Sequence, residues 1–226
     1  IHGSGFSVNC FLSCFNLALI TTNKKMFEVI AFDADDTLWH NESIFTMTQI
    51  KFREMLSSHG QEVVDQTLYA TQIKNLQHFG YGIKGFILSM IETAIELTDS
   101  EVRGHEIQQI LDFGREMLAA PIELLPHVRE VVEELSRNYS LLLITKGDLI
   151  DQETKIARSG LSEFFDAVEI VSDKTTEVYS KILNRHKIKT SRFMMIGNSM
   201  RSDIVPIVQI GAQAVHVPYL STWAHE

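Results

Sequence analysis

Three carboxylates fall within four residues where an apolar run stops: Val29-Ile30-Ala31-Phe32 leads directly into Asp33-Ala34-Asp35-Asp36-Thr37. Such a run reads as a buried strand of a parallel sheet, and open α/β folds gather their chemistry at the carboxyl ends of those strands. Acids crowded there repel one another unless a cation stands among them, and a divalent metal is the usual one. Residues i and i+2 of an extended strand share a face, so Asp33 and Asp35 can converge where the chain turns. Asp33 then suits a nucleophile held ionised by the metal, and Asp35 a proton shuttle if its surroundings raise its pKa. The plain alternative is an acidic turn that caps the next helix through Asp36 or Thr37. One Asp would favour that alternative; a cluster after a buried strand does not.

Three later segments offer partners. Thr145 ends the apolar stretch Leu141-Leu142-Leu143-Ile144, and its hydroxyl with the amides around Gly147 can cradle an anion at a helix N-terminus. Lys146, beside it, is a candidate for the same anion. Lys174 follows Val171-Ser172-Asp173, where a lysine can neutralise several phosphate oxygens at once. Gly197-Asn198-Ser199 through Asp203 offers Asn198 and Asp203 as oxygen donors suited to magnesium. Each signal alone has a bland reading, a helix cap or a solvated lysine. Together they put Asp, Thr, Lys and Asp on one rim.

The elements that must position these residues alternate along the second half of the chain. Strands are expected at Ser140–Ile144, Phe165–Val171, Phe193–Ile196 and Ala212–Val217, with helices at Leu149–Ser159, Thr176–Lys187 and near Ser202–Ile210. This pattern predicts an α/β fold, a Rossmann-like parallel sheet with helices on both faces. About a hundred residues separate the first strand from the second, too many for one crossover. Ile44, Met47, Phe52, Met55 and Leu56 repeat at near-helical spacing, as do Phe86, Ile87, Met90, Ile91, Ala94 and Ile95. The expected organisation is a core over 26–40 and 123–226 with an inserted all-helical cap over 41–122. Within the insert, Gly80, Gly82 and Gly85 permit a sharp loop from which Tyr81 or Lys84 could reach the site. A plain helix–helix turn with a solvated lysine is the equal alternative.

Composition excludes some partners. The formal net charge is −9 with no basic run, which argues against a nucleic-acid surface. The two cysteines, Cys10 and Cys14, are too few for a four-ligand zinc site and argue against a disulfide framework. Residues 1–25 hold an apolar stretch, Cys10 to Ile20, without the positive region or cleavage site of a signal peptide and too short to span a membrane. The expectation is a non-native or disordered extension ahead of a natural start at Met26, and a cytoplasmic protein without a membrane partner. Oligomeric state is not legible.

The motif residues resemble the haloacid dehalogenase superfamily of hydrolases. Asp33-Ala34-Asp35-Asp36-Thr37 is similar to its first motif, DxDxT; Thr145 to the second; Lys174 to the third, without the frequent Lys-Pro; and Gly197 through Asp203 to the fourth, with Asn198 where many members carry Asp. The resemblance implies a magnesium-dependent phosphatase with a C1-type cap, acting on a small phosphorylated metabolite. Asp33 would form an aspartyl-phosphate and Asp35 would serve as acid, then base. Thr145 and Lys174 would bind the phosphoryl group. Asp33, the Asp35 carbonyl and Asp203 would hold the metal, with Thr37 and Asn198 in support. Members that cleave carbon–halogen bonds lack the second acid; Asp35 is present, which favours a phosphate ester. Sugar phosphomutases share these features and stay open, and a receiver-type phosphoacceptor module is a distant third reading.

Overall fold

The computed structural model describes residues 26–220 and 223–225, so the expectations for residues 1–25 and their cysteines lie outside the described residues. Five parallel strands form one sheet: β1 (Val29–Phe32), β2 (Ser140–Lys146), β3 (Ala167–Val171), β4 (Phe193–Gly197) and β5 (Gln213–His216). Their spatial order is β3-β2-β1-β4-β5. β1 is the central strand, pairing Val29 with Ser140 and with Phe193, and Phe32 with Leu143 and with Ile196. All four of its residues are buried, which is why it reads as an unbroken apolar run. The order reverses direction at β1, and such a switch point leaves a crevice beyond the carboxyl ends of the adjoining strands.

Helices cover both faces. On one, Ile30, Phe32, Leu141, Leu143 and Ile196 pack with Trp39, with Val132 of α5 (Val128–Ser136) and with Ile156 of α6 (Leu149–Ser159). On the other, Ala31, Leu142, Ile144 and Met195 pack with Tyr179 and Ile182 of α7 (Thr176–Arg185) and with Ile207 of α8 (Val205–Gln209). A single π turn, Met200–Ile204, stands between β4 and α8. Among the described residues no helix is long and apolar enough to cross a membrane.

Between β1 and β2 the chain forms four helices: α1 (Glu42–Met55), α2 (Gln61–Phe79), α3 (Ile83–Leu97) and α4 (Gly104–Ala119). They enclose an apolar cluster of their own, with Phe52, Val64, Leu68, Phe86, Met90, Ile110 and Phe113 at its centre. Near-helical repeats in the sequence mark α1, α3 and, through Ile107, Ile110, Leu111 and Met117, α4, but not α2. The buried face of α2 mixes Val64 and Leu68 with Thr71 and Asn75, so its apolar stripe is incomplete.

Candidate active site

The floor of the site is built where β1, β2 and β4 end. Lys174, in the loop after β3, donates from Nζ to Asp33 Oδ1 at 2.5 Å and to Asp203 Oδ1 at 2.7 Å. All three are buried, with Lys174 only 3% exposed and Asp203 fully enclosed. The second oxygen of each acid is also occupied. Thr37 Oγ1 lies 3.0 Å from Asp33 Oδ2 and 3.3 Å from Asn198 Oδ1, and the Ser199 amide donates to Asp203 Oδ2 at 3.0 Å. Asp203 reaches this position because Gly197 has no side chain; a Cβ there would collide with its carboxylate.

Charge on the floor is out of balance. Two buried carboxylates share one ammonium, which leaves negative charge with no partner. Burial pushes the Asp33 carboxyl up to about 7, against the pull of Lys174 and with the push of Asp203. Lys174 is held above its ordinary range because Asp203 and Asp33 outweigh the burial that would lower it. Hard carboxylate oxygens with surplus negative charge suit magnesium in kind. Asp33, Asp203 and the main-chain carbonyl of Asp35 are the candidates to hold it. Among the described residues, however, no three acid, His or Cys side chains converge into a ready metal cage.

The reason is Asp35, whose carboxylate turns elsewhere. Lys155 Nζ lies 2.8 Å from both of its oxygens, Gln152 Nε2 donates at 2.8 Å and Trp39 Nε1 at 2.7 Å. Burial would raise this carboxyl, yet Lys155, Gln152 and Trp39 together hold it below its ordinary range. The condition set for a proton-donating Asp35, a raised pKa, is therefore not met in this conformation. Lys155 also lies 3.2 Å from Asn41 Oδ1, where the chain leaves the core for α1, and 3.6 Å from Asp151. Asp36 takes a left-handed φ of 60° and its carboxylate accepts from the amides of Asn41 and Glu42, so it shapes the path into the insert.

The floor opens into a cavity of about 180 Å³ that runs up between the sheet and the helical insert. Asp33, Asp35, Thr145, Lys146, Lys174, Asn198 and Asp203 all line it, as does Tyr81. The Thr145 hydroxyl makes no hydrogen bond among the described residues and so is available to a ligand. Lys146 donates to Ser202 Oγ at 2.8 Å and lies 3.9 Å from the centre of the Tyr81 ring. Thr37 stands behind the cavity and acts on it through Asp33.

Of the two candidates in the glycine loop, Tyr81 lines the cavity, and Lys84 follows the alternative of a solvated lysine. It does not line the cavity but pairs with Asp148 at 2.9 Å, on the outer side of the glycine loop. Side chains in the first turn of a helix lean back toward its N-terminus, here toward the core loop that holds Asp148. Gly82, beside that loop, takes a φ of 114° that a side chain would strain, although a Cβ there would only touch the Asp148 amide, at 3.4 Å. Sequence reading missed Gln152 and Lys155. The available signal was polar residues on the sheet-facing side of α6, where Asp151, Gln152, Lys155 and Ser159 are all buried.

Residues 27–211, which contain the strand-end acids, Thr145, Lys174 and Asp203, match a family model described as haloacid dehalogenase-like hydrolase. The chain belongs to the haloacid dehalogenase-like hydrolases. Among solved structures, a haloacid dehalogenase-like family hydrolase from Xanthomonas campestris is 41% identical, covers 89% of this chain and 86% of its own, and superposes with a TM-score of 0.84. The HAD-hydrolase YfnB of Bacillus subtilis, solved bound to magnesium, is 15% identical over 85% of this chain and 89% of its own, with a TM-score of 0.65. That level of identity shows the fold alone. A glyceraldehyde 3-phosphate phosphatase of Pyrococcus abyssi is 23% identical over 201 residues, 86% of this chain and 82% of that enzyme. In this hydrolase, then, the acid cluster lies at the switch point of the shared fold.

Proposed function

We propose that this hydrolase is a magnesium-dependent phosphatase acting on a small phosphorylated metabolite through an aspartyl-phosphate at Asp33. One observation carries the reading: Asp33, Lys174 and Asp203 form a buried cluster beside the open Thr145 hydroxyl at the bottom of a cavity. The phosphatase name of the Pyrococcus relative and the magnesium in YfnB support it.

In this reading, Thr145, Lys146 and Lys174 receive the phosphoryl oxygens. Asp33 attacks phosphorus as the bond to the leaving oxygen breaks. Thr37 and Lys174 hold the carboxylate in line, so that positioning and charge neutralisation supply most of the acceleration. Asp33, Asp203 and the Asp35 carbonyl would hold magnesium, which when bound would neutralise charge on the phosphoryl oxygens. Water then attacks phosphorus, its proton passes to Asp35, and the bond to Asp33 breaks. As clamped by Lys155, Asp35 is set for this second half. To protonate an alkoxide leaving group in the first half it must gain a proton and leave the clamp.

The test is release of free phosphate from p-nitrophenyl phosphate with magnesium, with EDTA, and after magnesium is restored. Loss and recovery of turnover are expected. Undiminished turnover in EDTA would sink the reading; with a sugar phosphate as substrate instead, an isomer formed without free phosphate would replace it with a mutase.

A further inference from the structure

We infer that the cavity accepts phosphate monoesters of neutral, hydroxyl-bearing alcohols and rejects esters whose leaving group carries a second anion. This rests on the phosphatase reading and extends it to a substrate class. It follows from where the cations are. Among the described residues, the basic side chains lining the cavity are Lys146, Lys155 and Lys174, and all three belong to the floor. Lys174 is committed to Asp33 and Asp203, and Lys155 to Asp35 and Asp151. Lys146 is covered by Tyr81 and bonded to Ser202, beside the phosphate position.

The insert contributes no basic side chain to the lining, and it adds an acidic residue, Glu42. A carboxylate or second phosphate reaching up from the floor would lose water without gaining a counter-ion.

What the insert does present is amide. Gln72 makes no hydrogen bond to any described residue, so both ends of its amide are open to a ligand. Asn75 donates its N–H₂ to Ser89 at 3.2 Å and to Glu92 at 2.9 Å, which fixes the side chain and leaves its carbonyl oxygen without a partner. Gln49 donates to Asp65 at 2.9 Å and likewise keeps its oxygen. Two anchored acceptors and one free amide match the donors and acceptors of hydroxyl groups. Phe45 and Phe86, with ring centres 5.1 Å apart, supply the apolar surface that the C–H bonds of such an alcohol would cover.

The experiment compares kcat/KM for 2-hydroxyethyl phosphate, 2-phosphoglycolate and p-nitrophenyl phosphate. The first two differ by a hydroxymethyl against a carboxylate. Wild type is expected to favour the hydroxyethyl ester over the glycolate by about tenfold or more. Gln72→Leu should lower the hydroxyethyl ester relative to the aryl ester by about tenfold, through KM. Gln72→Arg should raise 2-phosphoglycolate and narrow or reverse the preference. Because Gln72 has no partner, neither variant strands a buried group, and both should fold. Equal use of the two alkyl esters by wild type, or a preference unmoved by both variants, overturns the inference while leaving the phosphatase reading intact. No turnover of any of the three overturns both.

Discussion

The floor of the cavity and the wall opposite it use polar groups in different ways. On the floor, Lys174 and Lys155 each lie between two carboxylates, and the second oxygens of Asp33 and Asp203 are held as well. On the wall, Gln49, Gln72 and Asn75 present neutral amides with atoms to spare. A floor so constrained fixes one geometry, as phosphoryl transfer requires. These three amides can be altered one residue at a time, because none of them belongs to an ion pair. On the proposed reading, chemistry and choice of substrate fall to different elements, the strand ends and the inserted helices.

The largest effect should come from the floor. Asp33→Asn should lower kcat by about a thousandfold or more, read with p-nitrophenyl phosphate, because the attacking oxygen is lost. Lys174→Met should cost about 3–5 kcal/mol of stability in a urea titration, since Asp33 and Asp203 are then buried without a counter-ion. Added magnesium should recover part of it. A Lys174→Met protein as stable as wild type would show that the floor's ion pairs are not what the comparison makes them.

Lys155→Met tests the second clamp. Here kcat should fall by about a hundredfold with little change in KM, and Lys155→Arg should restore part of the loss. A change confined to KM would move Lys155 from the floor's chemistry to binding.

Asp36 bears on the link between floor and wall. Burial pushes its carboxyl up to about 6 against the amides that bond it. A raised acid favours the fold while protonated and loses that contribution as pH rises through its folded pKa. Asp36→Asn should therefore gain on wild type between pH 4 and 7, by up to about 3 kcal/mol. The smallest effect belongs to the exposed contact between core and insert: Lys84→Ala should change stability by less than about 1 kcal/mol.

The floor was legible in the sequence because apolar strands mark the places where polar residues must emerge from the core. Asp33 and Thr145 come directly after runs that could only be buried, and Asp203 shortly after another; a buried acid or hydroxyl needs a reason. The insert's existence was legible from an interval too long for a crossover. Lys155, Gln152 and Gln72 were not, because a polar residue in a helix reads as solvated until the packing shows which face it occupies. The direction of the Asp35 carboxylate was hidden for the same reason: it is set by α6, more than a hundred residues away in the chain. Which of Tyr81 and Lys84 faces the cavity was not legible, because sequence shows that a loop can bend but not what it bends against.

The most direct test is to find the phosphoryl group. Protein quenched in acid during turnover of p-nitrophenyl phosphate, digested and mass-analysed, should carry one phosphoryl group on Asp33, absent without substrate and absent from Asp33→Asn. Turnover with the phosphoryl group on another residue, or an Asp33→Asn protein that still releases phosphate at the wild-type rate, would contradict the account.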